Sequence, residues 1–250
     1  MNGITRRSSL LLLAALSSHA GAAPTLSILT AGAFRQVVLA LAPSFEKRTG
    51  ITLKIDGDTA GALARRVQAG EAFDLLFAPP AALAALPPGA VDPASVRPLA
   101  RVGIGLAVKA GAAHPPLETA AQFKAALLAA GKVAYVDPAA GGTSGIYLEQ
   151  LFERLGIAEA MRPRAVKVKG GLAAERVAAG EADIAVQQIS ELMTTPGVEL
   201  AGPLPAELQS YTVYAGAIAA RSGQAAAAQA FLDALAGAAE LIASKGMSLP

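Results

Sequence analysis

No cysteine occurs anywhere in the 250 residues, which excludes disulfides, thiolate metal sites and a cysteine nucleophile. Histidine is almost as scarce. Of two, His19 falls in the leader described below and His114 lies in Ala112-Ala113-His114-Pro115-Pro116, the composition of an exposed turn. Neither a serine–histidine triad nor a histidine metal site is expected from such a supply. There is no tryptophan, aromatics make up 4% of the chain, and basic residues form no block. Phosphate tracking and base stacking therefore have no platform, and nucleic acid is not an expected partner. Long apolar runs are missing too, since no stretch approaches the roughly 18 residues of a membrane span.

What is present begins with an export signal. Met1 to Ser9 carries Arg6 and Arg7 and no acid, Leu10 to Leu16 is a short apolar core, and Ala20-Gly21-Ala22 offers small residues for cleavage. The segment 1–22 is read as a signal peptide cut after Ala22, and the mature chain as periplasmic. Thr5-Arg6-Arg7-Ser8-Ser9-Leu10 approaches a twin-arginine signal, but Ser9 stands where an apolar aromatic is usual, which favours the ordinary secretory route. No cysteine follows to carry a lipid. Removing Arg6 and Arg7 leaves 19 basic residues against 19 acids, so the mature chain is close to neutral.

The mature chain alternates short apolar strands with alanine-rich helical stretches, which predicts an α/β fold with mostly parallel strands. Strands are expected at Leu26–Leu29, Ile51–Ile55, Asp74–Ala78, Arg101–Val108, Val133–Val136, Ile184–Val186 and Tyr211–Ala219. Helices are expected over Ala33–Thr49, Ala60–Ala69, Gly145–Leu155 and Gln224–Ala243, the first kinked after Ala42 by Pro43. Arg66-Val67-Gln68-Ala69-Gly70-Glu71-Ala72-Phe73-Asp74 is echoed by Arg176-Val177-Ala178-Ala179-Gly180-Glu181-Ala182-Asp183, a helix ending on glycine and turning into a strand. The echo argues for two lobes of similar plan. The long strand from Arg101 and the one from Tyr211 are candidate crossings, giving lobe 1 as residues 23–100 and 212–250 and lobe 2 as 101–211, joined by a two-strand hinge around a cleft.

Four segments place polar backbone between a strand end and a helix start, where open α/β sheets bind ligands. They are Thr30-Ala31-Gly32-Ala33, Asp58-Thr59-Ala60-Gly61, Gly141-Gly142-Thr143-Ser144-Gly145, and Lys169-Gly170-Gly171. Free amides at a helix start favour an anion, so a small anionic ligand is expected. Thr143 or Ser144 is expected to cap its helix. Arg35, one turn into the first helix, and Lys169 are candidate partners for a carboxylate or oxyanion. Gln187 and Gln188 follow an apolar strand, where amides belong only if they face a cleft. Asp74 and Asp183 are read as loop-positioning residues, since a carboxylate repels an anion. No phosphate-loop or glycine-rich nucleotide fingerprint is present, and no cofactor is expected.

Leu29-Thr30-Ala31-Gly32-Ala33-Phe34, then Leu63 through Gly70 with Asp74-Leu75, then Asp137-Pro138 through Ser144-Gly145-Ile146-Tyr147, resemble the periplasmic molybdate-binding protein family. The likeness implies a type II periplasmic-binding fold and a receptor, expected to be a monomer, that hands an oxyanion to the permease of an ABC transporter. At the ligand positions the chain departs from that pattern. Ala33 stands in place of the family's first binding serine, Thr59-Ala60-Gly61 in place of the second, Gln188 in place of its tyrosine, and Ser144 in place of a small residue. Lost hydroxyls leave a buried tetrahedral dianion short of donors, while the smaller residues enlarge the cleft. An organic carboxylate is therefore expected over molybdate or tungstate. The same departures resemble the aconitate isomerase branch of the family, which implies an alternative: interconversion of cis- and trans-aconitate by allylic proton transfer, with no cofactor and with Tyr147, Lys169 or Glu191 as candidate base.

Overall fold

A computed structural model describes residues 24–250; the expected signal peptide lies outside the described residues. In chain order the elements are β1 (Thr25–Ala31), α1 (Gly32–Thr49), β2 (Thr52–Asp58), α2 (Ala60–Gln68), β3 (Leu75–Ala78), α3 (Pro80–Ala84), β4 (Arg97–Val102) and β5 (Ile104–Lys109). Then come α4 (Ala120–Ala129), β6 (Val133–Val136), α5 (Thr143–Arg154), α6 (Ala158–Met161), β7 (Ala165–Val168), α7 (Ala174–Ala178), β8 (Ile184–Gln188) and α8 (Ile189–Leu192). The chain closes with β9 (Val198–Pro203), β10 (Thr212–Ile218), α9 (Ala225–Ala236) and α10 (Ala239–Ser244).

The strands form two five-stranded sheets, ordered β2-β1-β3-β10-β4 and β7-β6-β8-β5-β9. The two share one plan. In each, the first three strands are parallel and the fourth runs antiparallel to both neighbours. β3, β6 and β8 are buried along their whole length and β1 along most of it, because helices cover both faces of a parallel sheet. One core gathers Phe34, Phe45, Phe77 and Phe231, with Phe45 and Phe231 edge to face at 4.9 Å; such a pair adds about 1 kcal/mol beyond area burial. Separate cores around Phe123, Phe152 and Leu148, and around Ala173 and Val177, pack the second sheet.

The sequence echo is a repeated device. After α2, Glu71 turns back on Arg66 at 2.6 Å across Gly70, and after α7 Glu181 turns back on Arg176 at 2.9 Å across Gly180. Both glycines are left-handed, with φ of 91° and 76°, which residues bearing a β-carbon rarely adopt. Each turn then feeds the central strand of its sheet.

Three expectations are corrected. The long strand from Arg101 is two strands, broken at Gly103, with β4 in one sheet and β5 in the other. The closing helix is likewise two, because the chain leaves helical conformation at Gly237-Ala238. α1 runs through Pro43 without interruption; Pro43 is exposed, so water can take the carbonyl that the missing N–H leaves unpaired. No helix among the described residues is long and apolar enough to cross a membrane.

Candidate functional site

Strand ends from both sheets meet at one cleft of about 150 Å³. From the first sheet, the β1–α1 junction brings Ala31, Gly32, Ala33, Arg35 and Gln36, the β2–α2 junction brings Gly57, Asp58, Thr59 and Ala60, and β10 brings Tyr214. From the second, the β6–α5 junction supplies Gly142, Thr143 and Ser144, the β7–α7 loop supplies Gly171 and Leu172, and the β8–α8 junction supplies Gln188 and Glu191.

Among the expected site residues, Gly32, Ala33, Arg35, Thr59, Ala60, Thr143, Ser144, Gly171 and Gln188 line this cleft. Others stand behind it. Thr30 is fully buried, its hydroxyl donating to the Ala31 carbonyl. Gly145 is pressed against the Val136 carbonyl, where a β-carbon has no room. Gln187 accepts from Ala173 N–H at 2.7 Å and donates to the Gly171 carbonyl at 3.1 Å, so it braces the β7–α7 loop. Gly61 packs on Gly141. Tyr147 points away, its hydroxyl donating to the Leu208 carbonyl at 2.7 Å and accepting from Arg154. Lys169 and Gly170 are exposed and do not line the cleft.

The helix starts differ from expectation in one respect. Gly142 is the N-cap of α5, and no side chain caps it. Thr143 is the first helical residue, and its hydroxyl accepts from Gln188 Nε2 at 3.1 Å. Thr59 does cap α2, its hydroxyl accepting from Ala62 N–H at 3.1 Å while donating to the Ala140 carbonyl of the facing lobe. Asp74 and Asp183 hold loops as expected, Asp74 accepting from Ser27 N–H and Asp183 from Lys132 N–H, both at 2.8 Å.

Two buried polar atoms at this cleft have no protein partner among the described residues: Arg35 Nε and Gln188 Oε1. Arg35 lies across Gly57, where a β-carbon would stand 2.6 Å from its Cδ, so glycine lets the guanidinium reach inward. Gln188 donates to the hydroxyls of Thr143 and of Thr212, the latter at 2.9 Å. Hydroxyls both donate and accept, so a rotated Gln188 amide would be held equally well while offering its N–H to an anion.

Glu191 is the unusual member. It is 9% exposed, and no cation lies within salt-bridge distance of it among the described residues. Its Oε1 occupies the space beside Gly32 that a β-carbon would take, only 2.5 Å from that carbon's position. α8 is fixed on α1 by Ser190, whose hydroxyl donates to the Ala33 carbonyl at 2.8 Å. Burial pushes the Glu191 carboxyl up to about 8, opposed in part by the amide of Gln187. Tyr214 is also pushed up, by burial and then by the Glu191 charge. Asp58, by contrast, accepts from Thr59 N–H at 2.7 Å with its other oxygen 3.9 Å from Arg66.

Tyr214 and Gln36 went unnoticed as lining residues in the sequence. Tyr214 is the one aromatic of β10, and that was the available signal. Asp58, which opens the second of the four expected segments, does line the cleft.

The family described as bacterial extracellular solute-binding protein matches residues 26–248. An aconitate isomerase from Pseudomonas sp. is 34% identical over 232 residues, covering 89% of this chain and 87% of that protein. Among solved structures, the periplasmic molybdate-binding protein of Azotobacter vinelandii superposes with a TM-score of 0.74 at 21% identity, over 90% of this chain and 99% of that one. The sulfate-binding protein SubI of Mycobacterium tuberculosis gives 0.70 at 17% identity, over 90% and 86%. These two likenesses concern the fold.

Proposed function

Because the chain belongs to the bacterial extracellular solute-binding protein family, we propose that it takes up a small polycarboxylate in the periplasm and interconverts cis- and trans-aconitate in the cleft. The observation that carries this reading is Arg35, a half-buried side chain whose buried Nε has no protein partner among the described residues and which lines the cleft. A buried unsatisfied donor costs free energy, and a carboxylate is the group whose planar oxygens match a guanidinium. The likeness to an aconitate isomerase over most of both chains supports this ligand class. A compact tetrahedral dianion fits the cleft less well, because Ala33 and Ala60 line it without a hydroxyl to close a shell of donors around such an ion.

Aconitate carries three carboxylates, which Arg35, the Gln188 amide, the hydroxyls of Thr143, Ser144 and Tyr214 and the amides at the start of α1 and α5 can meet. The test is to incubate the mature protein with cis-aconitate and follow its NMR spectrum. Appearance of the trans isomer is the expected result. Thermal shifts with molybdate, tungstate, sulfate, citrate and both aconitates run beside it; ligand at about 100 times its Kd adds ~2.7 kcal/mol. Stabilisation by molybdate alone defeats the carboxylate reading. Binding without conversion would make the protein a carboxylate receptor for a transporter, the reading that its family membership favours.

Replacing Arg35 by methionine keeps the stem and removes the fork. Affinity for aconitate is expected to weaken by roughly 30-fold or more, since unpairing a buried carboxylate costs about 2 kcal/mol at least. Calorimetric titration measures it, and unchanged affinity would remove Arg35 from the site.

A further inference from the structure

We propose that Glu191 is the catalytic residue that carries the proton between the two carbons of the ligand. This inference rests on the isomerase reading above and assigns its chemistry to one group.

Four titratable side chains line the cleft: Arg35 from α1, Asp58 from β2, Tyr214 from β10 and Glu191 from α8. Arg35 stays a cation and cannot accept a proton. Asp58 is engaged, one oxygen by Thr59 N–H and the other turned to Arg66. Tyr214 is buried beside a carboxyl that disfavours its phenolate, so it stays a donor. The remaining lining polar groups, among them Gln188, Thr143 and Ser144, are neutral. Glu191 alone combines a carboxyl, burial and freedom from any cation.

Its position fits the task. The carboxyl lies against Gly32, and Arg35 is one turn further along the same helix. Residues three apart on a helix address neighbouring positions roughly 5–6 Å apart, so a ligand carboxylate held by Arg35 sets the adjoining carbons near Glu191. Ser190, bonded to the Ala33 carbonyl, holds the short helix α8 to the start of α1. Burial that raises the carboxyl toward neutrality makes it a stronger base than a solvated one.

The step balances without any further reactant. A C–H bond of the methylene carbon breaks and its proton bonds to a Glu191 oxygen, while the electron pair spreads over the allylic carbons and the adjoining carboxylate. The double bond moves by one carbon. Glu191 then returns a proton to the far carbon, forming a new C–H bond and regenerating the carboxylate.

Three proteins decide it: wild type, Glu191→Gln and Glu191→Asp, each measured by NMR for turnover and by calorimetry for trans-aconitate affinity. Glu191→Gln is expected to lose about 10²- to 10⁴-fold in kcat, the usual range for a general base, with Kd within about threefold of wild type. Glu191→Asp keeps a carboxyl and is expected to turn over faster than Glu191→Gln. From pH 6.5, kcat/KM of the wild type should rise about tenfold per unit and flatten near pH 8. A flat profile, Glu191→Gln within tenfold of wild-type turnover, or parallel loss of binding and turnover, each overturns the assignment. Wild-type protein that leaves both isomers unchanged overturns the isomerase reading and this inference together; an active wild type with an equally active Glu191→Gln overturns the inference alone.

Discussion

Raising the pH from 5 to 8 is expected to lower the melting temperature of the ligand-free protein, and Glu191→Gln is expected to remove most of that slope. The sign follows from proton counting. In the unfolded chain Glu191 titrates near 4.5, whereas burial in the folded protein pushes it up to about 8. Between these values the unfolded state has released a proton that the folded state still holds. Stability therefore falls by up to about 1.4 kcal/mol per pH unit across the window and levels off above it. The total is of order 4 kcal/mol, and at roughly 2–4 °C per kcal/mol for a chain of this size the drop is on the order of 10 °C. Asp56 and Glu71 lie outside the window, because their bonds to Arg66 hold their carboxyls below the ordinary range. Calorimetric scans at pH 5, 6, 7 and 8 check the result. At pH 8 the glutamine variant should be the more stable protein, an exchange of stability for chemistry common at active sites. Parallel curves for the two proteins would show that Glu191 is not buried as described.

The second large effect concerns how the lobes meet. Gly61 N–H, in the first turn of α2, donates to the Gly141 carbonyl of the β6–α5 loop at 3.1 Å, and Thr59 and Arg65 both donate to the neighbouring Ala140 carbonyl. A β-carbon on Gly61 would stand 2.8 Å from Gly141 Cα, and one on Gly141 would meet Gly61 Cα in turn. Backbone faces backbone, so no side chain can swing aside. Gly61→Ala should accordingly affect two measurements unequally. Within α2, alanine is the better helix former by up to about 1 kcal/mol, which offsets about one of the lost hydrogen bonds, so the melting temperature of the free protein should fall by only a few degrees. Between the lobes it forces this contact apart, and loss of its hydrogen bonds, at about 1 kcal/mol each, should weaken aconitate binding roughly tenfold or more. Thermal melting and calorimetry on one preparation separate the two. A variant that binds as tightly as wild type would show that this contact does not contribute to holding the ligand.

Much of this architecture was legible in the chain. Apolar runs of four or five residues between alanine-rich stretches gave the parallel strands, and the Arg-Val…Gly-Glu-Ala echo gave the duplicated plan, because each glycine turn must be left-handed and each strand doubly covered. The crossing near Gly103 was legible as a place but not as a break, since Arg101 to Val108 is evenly apolar and only pairing partners divide it between two sheets. Thr143 and Ser144 read as caps because hydroxyls before an apolar helix usually cap; here Gly142 takes that position and Gln188 claims the Thr143 hydroxyl. The strand-end loops and Arg35 could be found from local pattern. Glu191 could be noted only as one candidate among three, as its isolation is a property of distant neighbours: Gly32 on α1, Gln187 beside it and Tyr214 on β10.

Gln209 sits where the chain returns toward β10. Its Oε1 accepts from Ile104 N–H at 2.8 Å and its Nε2 donates to the Ile104 carbonyl at 2.9 Å, beside Gly103, where a β-carbon would crowd the same amide at 3.0 Å. The two crossing segments are thus pinned to each other by a side chain that imitates a strand neighbour. Because both bonds fall on one residue, sliding of one crossing segment past the other would break them together, so a single amide fixes the register of the two connections between the sheets.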